Sequence, residues 1–94
     1  MIIAVDFDGT LRFNDGTANL ALIQKLKAAQ MQGNTCILWT CREGKSLQDA
    51  LLFLKENGFA PNLVNENHPE IIRRLKYNPR KVLADIYIDD KGAK

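Results

Sequence analysis

Residues Met1–Thr10 read MIIAVDFDGT and give the clearest indication of how this chain folds. An apolar run ends abruptly in two aspartates that stand one residue apart, and this pattern predicts a buried strand over Ile2–Asp6. Because side chains alternate along a strand, Asp6 and Asp8 are expected to point to the same side. Two carboxylates this close repel each other, which makes sense if a cation or a phosphoryl group lies between them. The stretch therefore predicts an acidic site at the carboxyl end of a strand.

A second acidic pair lies near the other end of the chain. Asp89 and Asp90 directly follow the apolar run Ile86–Ile88, which is predicted to be another buried strand. Between the two acidic pairs, apolar runs of strand length alternate with segments of helical periodicity. Two further strands are expected at Thr35–Thr40 and Leu63–Val64.

Three helices are predicted between these strands. The second begins at a capping box, because Ser46–Asp49 has the Ser-x-x-acid form. Glycines and a proline mark the other boundaries. The helices are expected at Leu20–Ala29 with Gly33 as the stop, from Ser46 with Gly58 as the stop, and from Pro69 to about Leu75.

This alternation predicts an α/β fold with three layers, in which a small parallel sheet of the Rossmann-like kind carries helices on both faces. Ligands bind to such sheets outside the carboxyl ends of the strands. Asp6, Asp8, Thr40 and Asp89 all fall at those ends, although they are far apart in the sequence. The fold class therefore predicts that these four residues meet in one site.

The bulk composition restricts the class of protein. The 94 residues are 46% hydrophobic and 26% charged, which is typical of one small globular domain spanning residues 1–94. A net charge of +2 does not by itself indicate a nucleic acid or membrane partner. No apolar stretch approaches the roughly 20 residues that a membrane-spanning helix needs. The two cysteines, Cys36 and Cys41, match neither a redox motif nor a zinc pattern, and this favours a reducing, cytoplasmic location.

Three of these segments together resemble the haloacid dehalogenase-like (HAD) phosphohydrolase superfamily. Its first motif, an apolar strand followed by D-x-D-G-T, is similar to Asp6–Leu11. Its second motif, a strand that ends in Thr or Ser, is similar to Ile37–Thr40, and its fourth, a strand that ends in paired acids, is similar to Ile86–Asp90. The motifs occur in the expected order and span nearly the whole chain.

The resemblance implies a catalytic role for each acid. Asp6 would attack phosphorus and form an aspartyl-phosphate, and Asp8 would protonate the leaving oxygen and then activate water. Mg²⁺ would be held by the Asp6 carboxylate, the Asp8 backbone carbonyl and Asp89. Asp90 would support the metal through a bound water or a neighbouring contact.

The resemblance also implies a phosphate- and substrate-binding segment. The Thr40 hydroxyl and the backbone amides after Asp6 would donate to phosphoryl oxygens. Gly9 would allow the tight turn that presents these amides, and Thr10 belongs to the same loop. Cys41 and Arg42 follow Thr40 and are expected near the substrate, although no reactive role is expected for the Cys41 thiol.

The third motif of the superfamily, a lysine near the phosphoryl group, is harder to assign. Lys81 is the first choice and Lys76 the second. If residues 82–88 were all strand, Lys81 would lie roughly 20 Å from Asp89 at about 3.3 Å per residue. Lys81 reaches the site only if the preceding residues loop back over it. Arg42 is the alternative source of positive charge.

The short chain indicates a member without a cap domain, because the space between the motifs is filled by core elements and a small flap that turns at Asp15–Gly16. An open site suits a phosphorylated substrate of any size, including the phosphorylated end of a nucleic acid, or a small molecule enclosed by a second subunit. The leading expectation is a Mg²⁺-dependent phosphatase. A phospho-accepting or phosphate-binding module with little or no turnover is the alternative.

Overall fold

The structure is a computed structural model that describes residues 1–93. These residues form one five-stranded sheet and three helices. The strands are β1 (Ile2–Val5), β2 (Thr35–Leu38), β3 (Leu63–Val64), β4 (Ile86–Asp89) and β5 (Gly92–Ala93). The helices are α1 (Leu20–Met31), α2 (Gly44–Glu56) and α3 (Pro69–Leu75).

The strand order is β3-β2-β1-β4-β5, so β1 lies at the centre of the sheet. Strands β2 and β4 run parallel to β1 on its two sides, and β5 pairs antiparallel with β4 at one edge. The chain moves outward from β1 to β3 and then crosses back to β4 on the other side of β1. This reversal creates the crevice in which ligands of open α/β sheets bind. The predicted α/β, Rossmann-like fold class is confirmed.

The two faces of the sheet are covered differently. One face packs against both long helices and forms the larger core, because alternate strand residues point to that side. Its members include Ile3 and Val5 from β1, Ile23 and Leu26 from α1, and Ala50 and Leu54 from α2. The opposite face is covered by a smaller group of Ala4, Ile37 and Val82, with Tyr87 packed against it. The thinner covering leaves aromatic side chains on this second face partly open to solvent.

Two boundaries differ from the sequence-based predictions in a way that concerns the site. The capping-box prediction is wrong: α2 begins at Gly44, its N-cap residue is Glu43, and no side chain caps it. Ser46 lies inside the first turn, and its carbonyl accepts a hydrogen bond from Arg42 at 3.1 Å. Strand β2 ends at Leu38 instead of Thr40, so residues 39–43 form a loop at the carboxyl edge.

The segment between β1 and α1 is a short flap. The Phe13 amide donates to the Thr17 carbonyl at 2.8 Å and the Gly16 amide to the Phe13 carbonyl at 2.9 Å, which closes a tight turn at the predicted position. Asp15 stabilises this turn because its carboxylate accepts hydrogen bonds from the amide and hydroxyl of Thr17. No helix within residues 1–93 is long and apolar enough to cross a membrane.

Candidate active site

Backbone hydrogen bonds on both sides of the chain hold the end of β1, and Asp6 directly after it, at the centre of the carboxyl edge. Its amide donates to the Ile88 carbonyl of β4 at 2.9 Å. On the other side, the Trp39 amide donates to the Val5 carbonyl at 2.8 Å. The ends of β1, β2 and β4 therefore stay level with one another, and the residues that follow them meet.

An open pocket of about 340 Å³ lies where these three strand ends meet. Most of the acids singled out in the sequence line it, together with Thr40 and Cys41. Its lining residues are Asp6, Trp39, Thr40, Cys41, Asp89, Asp90 and Lys91. Asp8, which was expected in the same site, does not line this cavity, and neither does Arg42, which lines a second, smaller depression with Phe7. We call the first cavity the acidic pocket.

The Asp6 carboxylate lies in an unfavourable environment for a negative charge. Burial raises the pKa of Asp6, and the neighbouring charges of Asp8, Asp90 and Asp89 raise it further. One hydrogen bond opposes this, because the Phe7 amide donates to Asp6 Oδ1 at 2.8 Å. A cation in the pocket would relieve the repulsion among these carboxylates.

Asp8 has a partner that Asp6 lacks. The Arg42 guanidinium donates from Nη2 to Asp8 Oδ1 at 2.8 Å and from Nε to Oδ2 at 2.9 Å. Hydrogen bonding to Arg42 lowers the pKa of Asp8. The guanidinium also lies over the Phe7 ring, 4.8 Å from its centroid, which fixes its orientation. Asp8 is therefore held as a carboxylate by a two-point ion pair.

Thr40 is fixed by a residue that the sequence analysis did not single out. The Thr40 amide donates to Asn65 Oδ1 at 2.9 Å, and Asn65 Nδ2 donates to the Thr40 carbonyl at 3.0 Å. Asn65 follows β3 and has a φ of 52°, a conformation that asparagine tolerates better than most residues. The Thr40 hydroxyl accepts a hydrogen bond from the Arg42 amide at 3.1 Å, which leaves its own hydrogen free to donate.

The loop after Asp8 is a closed turn. The amides of Thr10, Leu11 and Arg12 all donate to the Phe7 carbonyl, and the Gly9 amide donates to the Arg12 carbonyl. Of the backbone amides after Asp6 that were expected to donate to a phosphoryl group, those of Phe7 and of residues 9–12 are already bonded within the protein, whereas the Asp8 amide is not among these donors. The Thr10 hydroxyl is enclosed by protein and has no hydrogen-bond partner.

Gly9 connects this turn to the second acidic pair. Its φ is +79°, which disfavours any residue with a side chain, and a Cβ built there would lie 3.6 Å from the Cβ of Asp90. Asp89 turns the chain at the end of β4, because its carboxylate accepts a hydrogen bond from the Lys91 amide at 2.8 Å. This turn brings Lys91 to the acidic pocket, where it is a lining residue that the sequence analysis missed.

Lys81 is held on the second face of the sheet. Its ammonium lies 5.6 Å from the centroid of the Tyr87 ring, and it does not line the acidic pocket. The buried Asn67 fixes this loop: its side-chain amide donates to the carbonyls of Pro79 and Lys81, and its oxygen accepts from the Leu83 amide. Because β4 begins only at Ile86, the loop lies closer to the site than a continuous strand from residue 82 would allow.

Lys76, the second choice for this role, ends α3 in a left-handed conformation with a φ of 64°. Its side chain is exposed, and it does not line the acidic pocket. Among the lysines within residues 1–93, Lys91 is the one that lines the acidic pocket.

The donor set suits a hard divalent cation that keeps several waters. Within residues 1–93, no three His, Cys, Asp or Glu side chains converge closely enough to hold a metal ion by themselves. Mg²⁺ is commonly bound through one or two carboxylates together with waters and substrate phosphate oxygens. The carboxylates of Asp6 and Asp89 in one pocket match that smaller requirement, and the raised pKa of Asp6 is consistent with a position that favours a nearby cation.

Three residues of this site were not predicted from the sequence to be functional. Asn65 carried one available signal, because an asparagine directly after a short strand often adopts a positive φ. Lys91 follows the acidic pair, but only the turn at Asp89 brings it to the pocket. Trp39 was counted as part of a buried strand, whereas 41% of its surface is exposed in the structure.

The fold and the site together define a small α/β protein with an acidic pocket at the carboxyl edge of its sheet. It is similar to a solved structure, the conserved protein coded by locus from Bacteroides thetaiotaomicron, with a TM-score of 0.79 and 33% sequence identity. The similarity covers 98% of this chain and 77% of the other, and the chain belongs to the same family as that protein. No protein-family model and no curated protein matches the chain.

Proposed function

We propose that this protein is a Mg²⁺-dependent phosphomonoester hydrolase of the HAD-like kind, with Asp6 as the nucleophile. One observation carries the proposal: Asp6, Thr40 and Asp89 come from three different strand ends and line one open pocket. The D-x-D-G-T sequence that follows β1 supports the same proposal.

In the proposed reaction, an Asp6 carboxylate oxygen forms a bond to phosphorus while the bond to the ester oxygen breaks. The leaving oxygen takes a proton from Asp8. Water then attacks the aspartyl-phosphate, Asp8 accepts its proton, and inorganic phosphate leaves with Asp6 restored. The Thr40 hydroxyl, whose hydrogen is free, donates to a phosphoryl oxygen.

Asp8 has to carry a proton when it acts as an acid, and its ion pair with Arg42 opposes this. The proposal therefore requires Arg42 to leave Asp8 when the substrate binds. A phosphate dianion offers Arg42 an alternative partner, because two of its oxygens can accept hydrogen bonds from the guanidinium at the same time. Arg42 thus has two roles in the proposal: it holds Asp8 in the free protein and binds the phosphate in the complex.

Mg²⁺ would be held by the carboxylates of Asp6 and Asp89 and by the Asp8 carbonyl, with Asp90 supporting it. Its chemistry would be charge neutralisation, without which a carboxylate hardly approaches a phosphate dianion. Lys91 would supply further positive charge, because it lines the pocket. Lys81 remains the alternative and would act only if its loop moves past the Tyr87 ring.

A second candidate function is a phosphate-binding or phospho-accepting module with little turnover. The observation that favours it is the Arg42–Asp8 ion pair, which keeps the proposed acid deprotonated. In such a module Asp6 would still accept a phosphoryl group, but the aspartyl-phosphate would persist. The lifetime of that species distinguishes the two functions.

The proposed setting is the cytoplasm, and the proposed partner is a phosphorylated substrate. Both cysteines are free thiols, Cys36 buried and Cys41 exposed, which suits a reducing compartment. The open pocket admits the phosphorylated end of a larger molecule as well as a small ester. A nucleic acid would enter only by such an end.

The test is release of inorganic phosphate from a small aryl phosphate, with and without Mg²⁺, with the Asp6→Asn protein as the blank. We expect Mg²⁺-dependent release from the natural protein and none from the variant, because an amide is a poor nucleophile. Release that survives Asp6→Asn would contradict the role of Asp6. A stable phosphorylated protein that forms from acetyl phosphate without turnover would favour the second function.

A further inference from the structure

Trp39 stands at the acidic pocket with a large part of its side chain uncovered. It directly precedes Thr40 and lines the same cavity as Asp6. Its exposed fraction is 41%, although the strand residue before it, Leu38, is completely buried. Ligand pockets commonly combine aromatic side chains with a few polar groups, and an exposed indole that lines such a cavity is available to contact a ligand in it.

The indole is also held in place. The Trp39 amide is anchored on the Val5 carbonyl, one residue before Asp6. Its ring packs edge-to-face on Tyr87, with centroids 5.7 Å apart and planes at 70°. Tyr87 is fixed in turn, because its hydroxyl donates to the Val82 carbonyl at 2.7 Å and accepts from the Ala84 amide at 3.1 Å. Trp39 is therefore a supported aromatic surface.

Positive charge lies on the same side. The Lys81 ammonium is 5.6 Å from the Tyr87 ring centroid, and Lys91 lines the pocket that Trp39 lines. A ligand seated there would meet an aromatic surface and a cation next to the site that takes its phosphate. Flat ring systems bind well to such surfaces, because stacking requires only a π face and loses little conformational freedom.

We propose that Trp39 is a specificity-determining residue, and that the preferred substrates are phosphomonoesters whose leaving group carries a flat aromatic ring system, as a nucleotide does. This inference rests on the proposed function, since it takes the acidic pocket as the phosphate site. The ester oxygen lies between the two subsites: phosphorus faces Asp6, and the ring stacks on Trp39.

The chain allows a direct binding test because Trp39 is its only tryptophan. The Asp6→Asn protein, which lacks the proposed nucleophile and therefore should not cleave the probe, is titrated with adenosine 5′-monophosphate and with ribose 5-phosphate in the presence of Mg²⁺. Tryptophan fluorescence is excited at wavelengths that adenine does not absorb. The two probes share the sugar and the phosphate and differ only in the ring system. We expect the nucleotide to quench Trp39 and to bind about 5- to 100-fold more tightly.

A second experiment compares variants by calorimetry, which does not depend on the tryptophan signal. In the Asp6→Asn background, Trp39→Leu should remove the preference for the nucleotide, and Trp39→Phe should keep part of it. Tyr77→Leu is the matched control, because Tyr77 is an exposed aromatic residue that does not line the pocket. Tyr77→Leu should leave the preference unchanged.

Equal affinity for the two probes, or no binding of either, overturns the role of Trp39. The outcome is separable from that of the proposed function, since binding to the Asp6→Asn protein needs no turnover. Nucleotide-selective binding without phosphate release from the natural protein would sustain the stacking site and reject the hydrolase. Phosphate release without any preference for an aromatic ring would sustain the hydrolase and reject the stacking site.

Discussion

Asp6 and Asp8 stand one residue apart, and the structure gives their carboxylates opposite electrical surroundings. Asp6 lies half-buried among the charges of Asp8, Asp90 and Asp89, which together with burial raise its pKa. Asp8 lies exposed against Arg42, whose hydrogen bonds lower its pKa. Strand β1 ends at Val5, before both residues, and Asp6 lines the acidic pocket whereas Asp8 does not. The neighbours across space decide the chemistry of each carboxylate.

Because of these surroundings, the charge on Asp6 destabilises the folded protein and the charge on Asp8 stabilises it. The charge on Asp6 is costly in the folded protein, which is typical of groups kept for function. The charge on Asp8 is matched by a two-point ion pair. Substitutions at these two carboxylates and at the residues around them test this division.

Asp8→Asn should slow phosphate release by about 10²–10⁴-fold, because the amide can neither donate a proton to the leaving oxygen nor take one from water. Steady-state rates on an alkyl phosphate, a poor leaving group, measure the full effect. Asp15→Asn is the control, since Asp15 is an acid of the neighbouring flap bonded only to Thr17 and its own turn. An unchanged rate for Asp8→Asn would remove the acid–base role.

Asn65→Ala should lower the free energy of unfolding by about 1–2 kcal/mol, because two hydrogen bonds to Thr40 are lost and alanine disfavours a positive φ. Thr40, which lines the pocket with Asp6, and Arg42, which pairs with Asp8, lie in the same loop. Because the substitution loosens this loop, the rate of phosphate release should also fall. Asn65→Gly relieves the backbone and loses only the hydrogen bonds. Urea unfolding of both variants separates the two causes. Equal stability of the natural protein and Asn65→Ala would contradict the stabilising role of the two hydrogen bonds between Asn65 and Thr40.

Lys91→Met should raise KM for a phosphomonoester by about three- to tenfold, since one charge-assisted contact to the phosphate is lost. Lys81→Met should change KM less, because the Lys81 ammonium lies over Tyr87 and outside the acidic pocket. Kinetics of the two variants side by side measure the difference. If Lys81→Met raised KM more than Lys91→Met does, the phosphate-binding role would belong to Lys81, the first choice from the sequence.

The smallest effect concerns stability and pH, and its sign differs between the two carboxylates. Asp6→Asn should raise the free energy of unfolding at pH 7 by about 0.5 kcal/mol, and Asp8→Asn should lower it by a similar amount. Asp6 has a raised pKa, so its penalty is full at neutral pH and disappears as the pH falls below the unfolded value of 3.8.

Asp8 has a lowered pKa, so its contribution is full above 3.8 and is lost as the pH falls through the folded value. Thermal unfolding of both variants between pH 7 and pH 3 provides the measurement. Shifts of the same sign for the two variants would contradict the division.

The strands and the meeting of Asp6, Thr40 and Asp89 followed from the sequence, because strand periodicity and the rule for parallel sheets are local or topological. The position of Lys81 did not follow, since it depends on hydrogen bonds from Asn67 to a loop of irregular backbone. The partner of Asp8 was equally hidden, because Arg42 was expected to face the substrate. Strand β5 was missed because Gly92–Ala93 has no strand-like composition.

The thiols of the two cysteines differ in reactivity, and an experiment can use this difference. Burial raises the pKa of the Cys36 thiol to about 11, so this thiol is inert towards alkylating reagents at neutral pH. Cys41 is exposed and lines the acidic pocket. The natural chain thus carries a unique attachment point at the mouth of its pocket, where a small fluorophore or spin label would report what enters without any substitution in the sequence.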